Sequence, residues 1–383
     1  MTWMSRTYPK MKTDSLLWGS VLLLVVMSML ACNPDDEDDR NTPSFNRAAF
    51  LEHAADNVIV PTYASLAQSF QSLESMLAGL NQGDVTGSDI ATLRQALFAA
   101  NIAWQRAQIF DFGPAAYRAL LATTNTFPTD TIEIELATQS ETWQGGLSST
   151  LNSSGLPALD WMLFSMDESA TAATWNNSAS GHLNHAQRLS HFMAEETTAV
   201  LSAWNSSYRD EFVASTGTEA GSSIGELLNA FNRVYEGNIR KQKLGLPNGA
   251  MTFSGNPQPS LVEAPFAEDW SIDLLTEGLN ACAHLYFGDQ ANGASSSLGL
   301  DDYLKSLGNV SYGQGLHEDI VGQLASAQAA VATMQDPLAS FVVDQQQASL
   351  DVYAELQALV VLWKVDMMSS LGVLITYQDN DGD

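Results

Sequence analysis

Cysteine is almost missing from this chain: Cys32 and Cys282 are the only two. With Cys32 read as a lipid attachment point, Cys282 is left without a partner and no intramolecular disulfide is available. A small buried hydrophobe is the expected role of that second thiol. Cations are also scarce, with 16 Lys and Arg against 44 Asp and Glu, for a formal net charge of −28. Such a chain repels nucleic acid and anionic membrane surfaces, whereas cationic ligands remain compatible with it. Strand-like alternation is hard to find, and neither a Gly-x-Ser-x-Gly elbow nor a phosphate-binding loop appears.

The apolar run Val21 to Met27 is shorter than the ~20 residues a spanning helix needs. It follows the basic residues Arg6, Lys10 and Lys12 and ends in Met29-Leu30-Ala31-Cys32, the pattern of a secretory signal. The tetrapeptide resembles the lipobox of bacterial lipoproteins, in which the cysteine is lipidated and becomes the mature N-terminus. Residues 1–31 are therefore expected to be a signal peptide. The acidic run Asn33 to Asp39 opens a tether over residues 32–44. It resembles the acidic export signal of Bacteroidetes surface lipoproteins. The expected location is the outer membrane, facing the periplasm or the cell surface, with the lipid as the membrane contact.

From Phe45 onward apolar residues recur at helical spacing almost everywhere. Arg47 to Leu80 reads as one helix with a kink at Pro61, and Ser88 as the cap of a second helix running to Phe110. A weak helix through Trp143, a long one over Gly181 to Tyr208 and an amphipathic one over Ser223 to Lys243 follow. Three more are expected at Trp270 to Phe287, Gly313 to Met334 and Ser340 to Leu371. The small-residue stretch Thr216 to Gly221 is the best boundary, which divides the chain into bundles at 45–216 and 217–383. The expected fold is all-α, two helical bundles packed around an interdomain cleft.

The stretch Asn152 to Phe164 reads as a loop feeding a helix that starts near Pro157. Leu156, Leu159 and Leu163 share a stripe with Asp160, so a carboxylate faces inward and needs a partner. Candidate cations are Arg106, which lies in an apolar stripe, and Arg240, Lys241 and Lys243. Pairing of Asp160 with Arg106 or with a basic residue near 243 would give either a ligand pocket edged by Trp104 and Trp161 or a structural ion pair fixing the bundle interface. His182 with His185, and His191 with Glu195, are each one turn apart and could each supply two metal ligands; solvated helix surface is the alternative. The acidic end Asp379 to Asp383 is compatible with weak cation binding only.

Val60-Pro61-x-Tyr63, Trp104-x-Arg106 with Phe112-Gly113-Pro114, Gly155-Leu156-Pro157-Ala158-Leu159-Asp160, Lys243-Leu244-Gly245-Leu246-Pro247-x-Gly249 and Leu371-Gly372-Val373 stand in an order that resembles the imelysin family, in particular its lipoproteins. The resemblance implies two helical bundles enclosing a cleft that carries a Gly-x-His-x-x-Glu motif. It also implies metallopeptidase activity, with the motif's His and Glu as metal ligands, and a link to iron uptake. Gly155 matches the motif's glycine, whereas Pro157 stands for its histidine and Asp160 for its glutamate. Proline coordinates nothing, so the expected function is non-enzymatic. The chain is expected to bind a small ligand or an uptake-system protein in the cleft, in iron or haem acquisition. The binding residues are then Trp104, Arg106, Gly155, Pro157, Asp160, Trp161, Arg240, Lys243, Gly245, Pro247 and Gly249, with no catalytic residue and no motif metal. Iron or another divalent cation is the cofactor the resemblance leaves open. The alternatives are a metal-dependent peptidase with ligands outside the motif, and a structural surface lipoprotein.

Overall fold

The computed structural model describes residues 45–288, 298–308 and 312–377. The signal segment, Cys32, the tether and the terminal run Asp379 to Asp383 lie outside the described residues. Helices α1 (Arg47–His53), α2 (Val60–Ala78), α3 (Gly87–Ala107), α4 (Pro114–Tyr117), α5 (Leu120–Asn125), α6 (Thr131–Thr138), α7 (Gly155–Phe164), α8 (Glu168–Asn176) and α9 (His182–Ala203) come first. Then follow α10 (Arg209–Ala214), α11 (Ser223–Val234), α12 (Ser271–Phe287), α13 (Leu300–Ser306), α14 (Gly313–Val331), α15 (Leu338–Asp344), α16 (Gln346–Val360) and α17 (Met368–Ser370). No strand occurs among the described residues.

Wide π turns interrupt the longest helical stretches. One at Ala54–Ile59 joins α1 to α2 immediately before Pro61. Proline has no N–H to give and its ring crowds the carbonyl four residues back, so the helix is loosest where the sequence predicts a kink. A longer π segment, Tyr235–Gly245, continues α11. Helix α3 starts two residues earlier than Ser88 suggests. Thr86 is its cap: the Thr86 hydroxyl accepts from Asp89 N at 3.3 Å while the Asp89 carboxylate accepts from Thr86 N at 2.8 Å. Trp143 lies in a run of turns rather than a helix; α6 ends at Thr138, where Arg188 donates to the carbonyls of Ala137 and Ser140.

Helix α2 packs against α3 and α9, and α3 in turn lies against α12, while α14 packs against α16. The boundary stretch Thr216 to Gly221 connects α10 to α11, and Phe45–Asp383 forms one compact unit. The main apolar core runs from Phe50 in α1 to Val373 near the C-terminal end, and Ala264, Ala267 and Leu274 form a small second cluster. Contacts between α3 and α12 and between the turn Gln108–Phe110 and α11 carry this core across the Thr216 to Gly221 stretch.

The entry to α7 is set by Gly155, whose φ of +73° lies in the left-handed region. A Cβ there would stand 2.1 Å from the Thr124 carbonyl oxygen and 2.9 Å from that of Thr123, so the end of α5 fits against α7 only if this residue lacks a side chain. Gly155→Ala is expected to cost about 3 kcal/mol or more and to lower the melting temperature by more than about 5 °C. Circular dichroism on heating reads this, and an unchanged melting temperature would mean that α5 and α7 are not held so closely.

Candidate functional site

Asp160 is 2 % exposed, and its partner is not a cation. One carboxylate oxygen accepts from the Ala267 N–H at 3.0 Å and the other from the Phe266 N–H at 3.2 Å. Both amides belong to an irregular segment, Val262 to Asp269, that precedes α12 and crosses over α7. Burial pushes the Asp160 carboxyl up to about 7; the two N–H bonds pull it down and the neighbouring Glu263 pushes it up.

Glu263 is the acid that pairs with a cation. It is also 2 % exposed, and its carboxylate is bonded to the Lys243 ammonium, to Gln105 Nε2 at 3.0 Å and to Asn125 Nδ2 at 2.6 Å. Its main-chain carbonyl accepts from the Ser271 hydroxyl at 2.6 Å. Gln105 in turn accepts from Gln108 through its side-chain oxygen. Burial lowers the Lys243 pKa and the Glu263 charge opposes the fall. The Lys243 ammonium also lies 5.9 Å from the centre of the Phe127 ring. The cluster thus takes Asp160, Gln105 and Asn125 from before the Thr216 to Gly221 stretch and Lys243 and Glu263 from after it.

The expected pairing of Asp160 with Arg106 does not form. Arg106 is half-buried and bonded to Glu277 on α12, because its position on α3 turns it outward beside that helix rather than toward α7. Arg240 is 1 % exposed and belongs to a different cluster: it donates to the Tyr353 hydroxyl and to Gln357, and it lies 3.8 Å from Glu236 one turn away. Glu236 also takes the Lys364 ammonium at 2.9 Å and the Tyr377 hydroxyl at 3.1 Å. Trp104 is buried in the apolar core, whereas Trp161 is half-buried with its ring 6.1 Å from that of His182. Pro157 is buried in the first turn of α7. Gly245 lies against Tyr353 and Met251, the Pro247 carbonyl accepts from Gln258 N, and Gly249 (φ +91°) backs onto Gly255 and Asn256.

Of the two histidine pairs, only His182 with His185 departs from the surface alternative. His182 and His185 are both buried; the imidazole of His182 bonds the Ser180 carbonyl, and Nδ1 of His185 lies 3.2 Å from the Arg188 guanidinium. Burial, with Arg188 second, drives the His185 pKa down to about 3, so the ring is neutral and structural. His191 is exposed and stands between Glu74 at 2.7 Å and Glu195 at 4.0 Å, on opposite sides of its ring. The hydrogen bond to Glu74, with the charges of Glu74 and Glu195, raises the His191 pKa, and two carboxylates so placed do not converge on one ion.

The family model Imelysin matches residues 59–363, and the chain belongs to the imelysin family. An imelysin-like protein from Psychrobacter arcticum 273-4 has a solved structure that is similar with a TM-score of 0.66 at 17 % identity, over 86 % of this chain and 97 % of that one. A candidate iron-regulated protein A precursor from Parabacteroides distasonis ATCC 8503 is similar with a TM-score of 0.64 at 19 % identity, over 85 % of this chain and 94 % of that one. These two establish the fold. No curated protein matches the chain.

The motif residues do not fit the metal the family implies. Pro157 offers no donor, both Asp160 oxygens are taken by main-chain N–H groups, and the Glu263 carboxylate is taken by a lysine and two amides. Among the described residues no group of three or more His, Cys, Asp or Glu is arranged to hold an ion.

Asp160 and His185 make opposite contributions to stability as pH changes. The folded pKa of Asp160, about 7, lies above its unfolded value, so the folded state binds the extra proton and stability falls as pH rises from about 4 to 7. The folded pKa of His185, about 3, lies below its unfolded value, so stability rises from about 3 to 6.5. The two offset each other in the intact protein. In Asp160→Asn the first is gone: the wild-type advantage over the variant should shrink with rising pH between 4 and 7, by up to about 1.4 kcal/mol per unit, and then level off. Urea denaturation across that range measures it. An advantage that does not vary with pH would show an Asp160 that titrates as an exposed acid.

Proposed function

We propose that this protein is a cell-envelope lipoprotein of the imelysin family that works by binding a ligand or partner where the two parts of the chain meet, without catalysis. The observation that carries this reading is the commitment of every carboxylate oxygen in the motif cluster to an internal donor, with Pro157 at the motif's histidine position. A hydrolytic metal needs open coordination positions and a water, and such a cluster supplies stable shape and a fixed charge pattern instead. Service in iron or haem acquisition is part of the proposal. Its support is the family resemblance together with the Parabacteroides neighbour's description as iron-regulated. The membrane attachment rests on Cys32 and the acidic tether behind it.

Soluble protein incubated with iron, zinc and calcium and then desalted is expected to retain no stoichiometric metal at the motif and to cleave no peptide. Elemental analysis decides it: one equivalent of zinc that disappears in Asp160→Ala would favour the peptidase alternative. For the anchor, Cys32→Ser is expected to move the protein from the membrane fraction to the soluble fraction of fractionated cells, and continued sedimentation with membranes would contradict lipidation.

A further inference from the structure

The segment from Val262 to Asp269 has no helix or strand to hold it, yet it closes over buried charged groups: its own Glu263 meets Lys243, and its amides meet Asp160. Its inner residues Glu263, Ala264 and Ala267 are buried, while Glu268 and Asp269 are exposed. Two non-glycine residues, Ala264 and Glu268, are left-handed with φ of 52° and 57°, one near each end. Such conformations are unfavourable for L-residues and persist only where surrounding contacts impose them. The imposing contact is visible: the Phe266 and Ala267 amides, between the two left-handed residues, both donate to Asp160. The segment also lines a cavity of about 160 Å³, between Val262, Pro265 and Glu268 and the start of α15 at Pro337, Ala339 and Ser340.

We propose that Val262 to Asp269 is a strap latched onto α7 by the Asp160 carboxylate, and that its movement into the adjoining cavity draws Glu263 away from Lys243. Strained hinges at both ends favour release; the two-pronged hydrogen bond to Asp160 and the bonds of Glu263 to Lys243, Gln105 and Asn125 oppose it, and the cavity gives the strap room that a close-packed interior denies. Release swings Glu263 outward with the strap and leaves the Lys243 ammonium, otherwise 2 % exposed, open to a ligand. That a ligand uses this opening rests on the binding function proposed above; the latch itself does not.

Hydrogen exchange read by mass spectrometry tests the latch without any ligand. In Asp160→Asn, peptides covering 262–270 should exchange at least tenfold faster than in the wild type while those of α2 and α9 keep their rates. Acylation of Lys243 by a water-soluble reagent should accelerate in parallel. Equal strap exchange in the two proteins, or acceleration spread evenly over all helices, would overturn the proposal. Should the variant not fold, the wild type decides. In low urea the strap amides should exchange through an opening insensitive to denaturant, while α7 amides follow the denaturant-dependent global transition; exchange of both together would overturn the latch. A strap that opens in a protein that binds nothing would leave the latch standing and remove the binding function instead.

Discussion

A carboxylate can be taken out of water only if something else supplies the donors that water supplied. Two acids at the centre of this protein satisfy that condition with groups that lie far away along the chain. Asp160 of α7 is satisfied by the amides of residues 266 and 267, and Glu263 by Lys243 together with amides from α3 and α5. Removing Lys243 or Glu263 alone would strand the other's buried charge. The meeting of the two parts of the chain is therefore specified by polar groups as well as by the apolar core that runs across it.

The same commitment bears on chemistry. Members of a family can keep an architecture while the residues at its motif change role, because the fold depends on packing and the reaction on a few free atoms. Here Gly155 still makes the close approach of α5 to α7, and the acid at the motif's last position still faces inward. Its oxygens, however, are engaged in holding a segment of main chain. In the proposed account the site is a structural and gating element at the place where the family resemblance implies a metal.

The helices, the inward face of Asp160 and the special place of Gly155 were legible in the sequence because each has a local signature. Periodicity places Asp160 among leucines, and a glycine before a proline-started helix marks a turn. The partner of Asp160 was not legible, since main-chain N–H groups have no residue identity and any segment can offer them. Glu263 lies in a loop dense in Pro and Ser that gives no periodic signal; a lone acid flanked by Leu261-Val262 and Ala264-Pro265-Phe266 was the only hint of it. Arg106 was misplaced because stripes drawn at 3.6 residues per turn do not say which neighbour a half-buried side chain will meet. Beyond Val234 the π segment changes the spacing itself, which is why Arg240 and Lys243, three residues apart, are both buried but serve different clusters.

The dependence of the fold on the buried Lys243–Glu263 pair can be measured by a double-mutant cycle with Lys243→Met and Glu263→Gln, each protein unfolded in urea at pH 7. Either change alone should cost about 3–5 kcal/mol, and the double variant markedly less than the sum, since removing both charges leaves neither stranded. Additive losses would contradict the claim, because they would mean that the two groups do not depend on each other inside the protein.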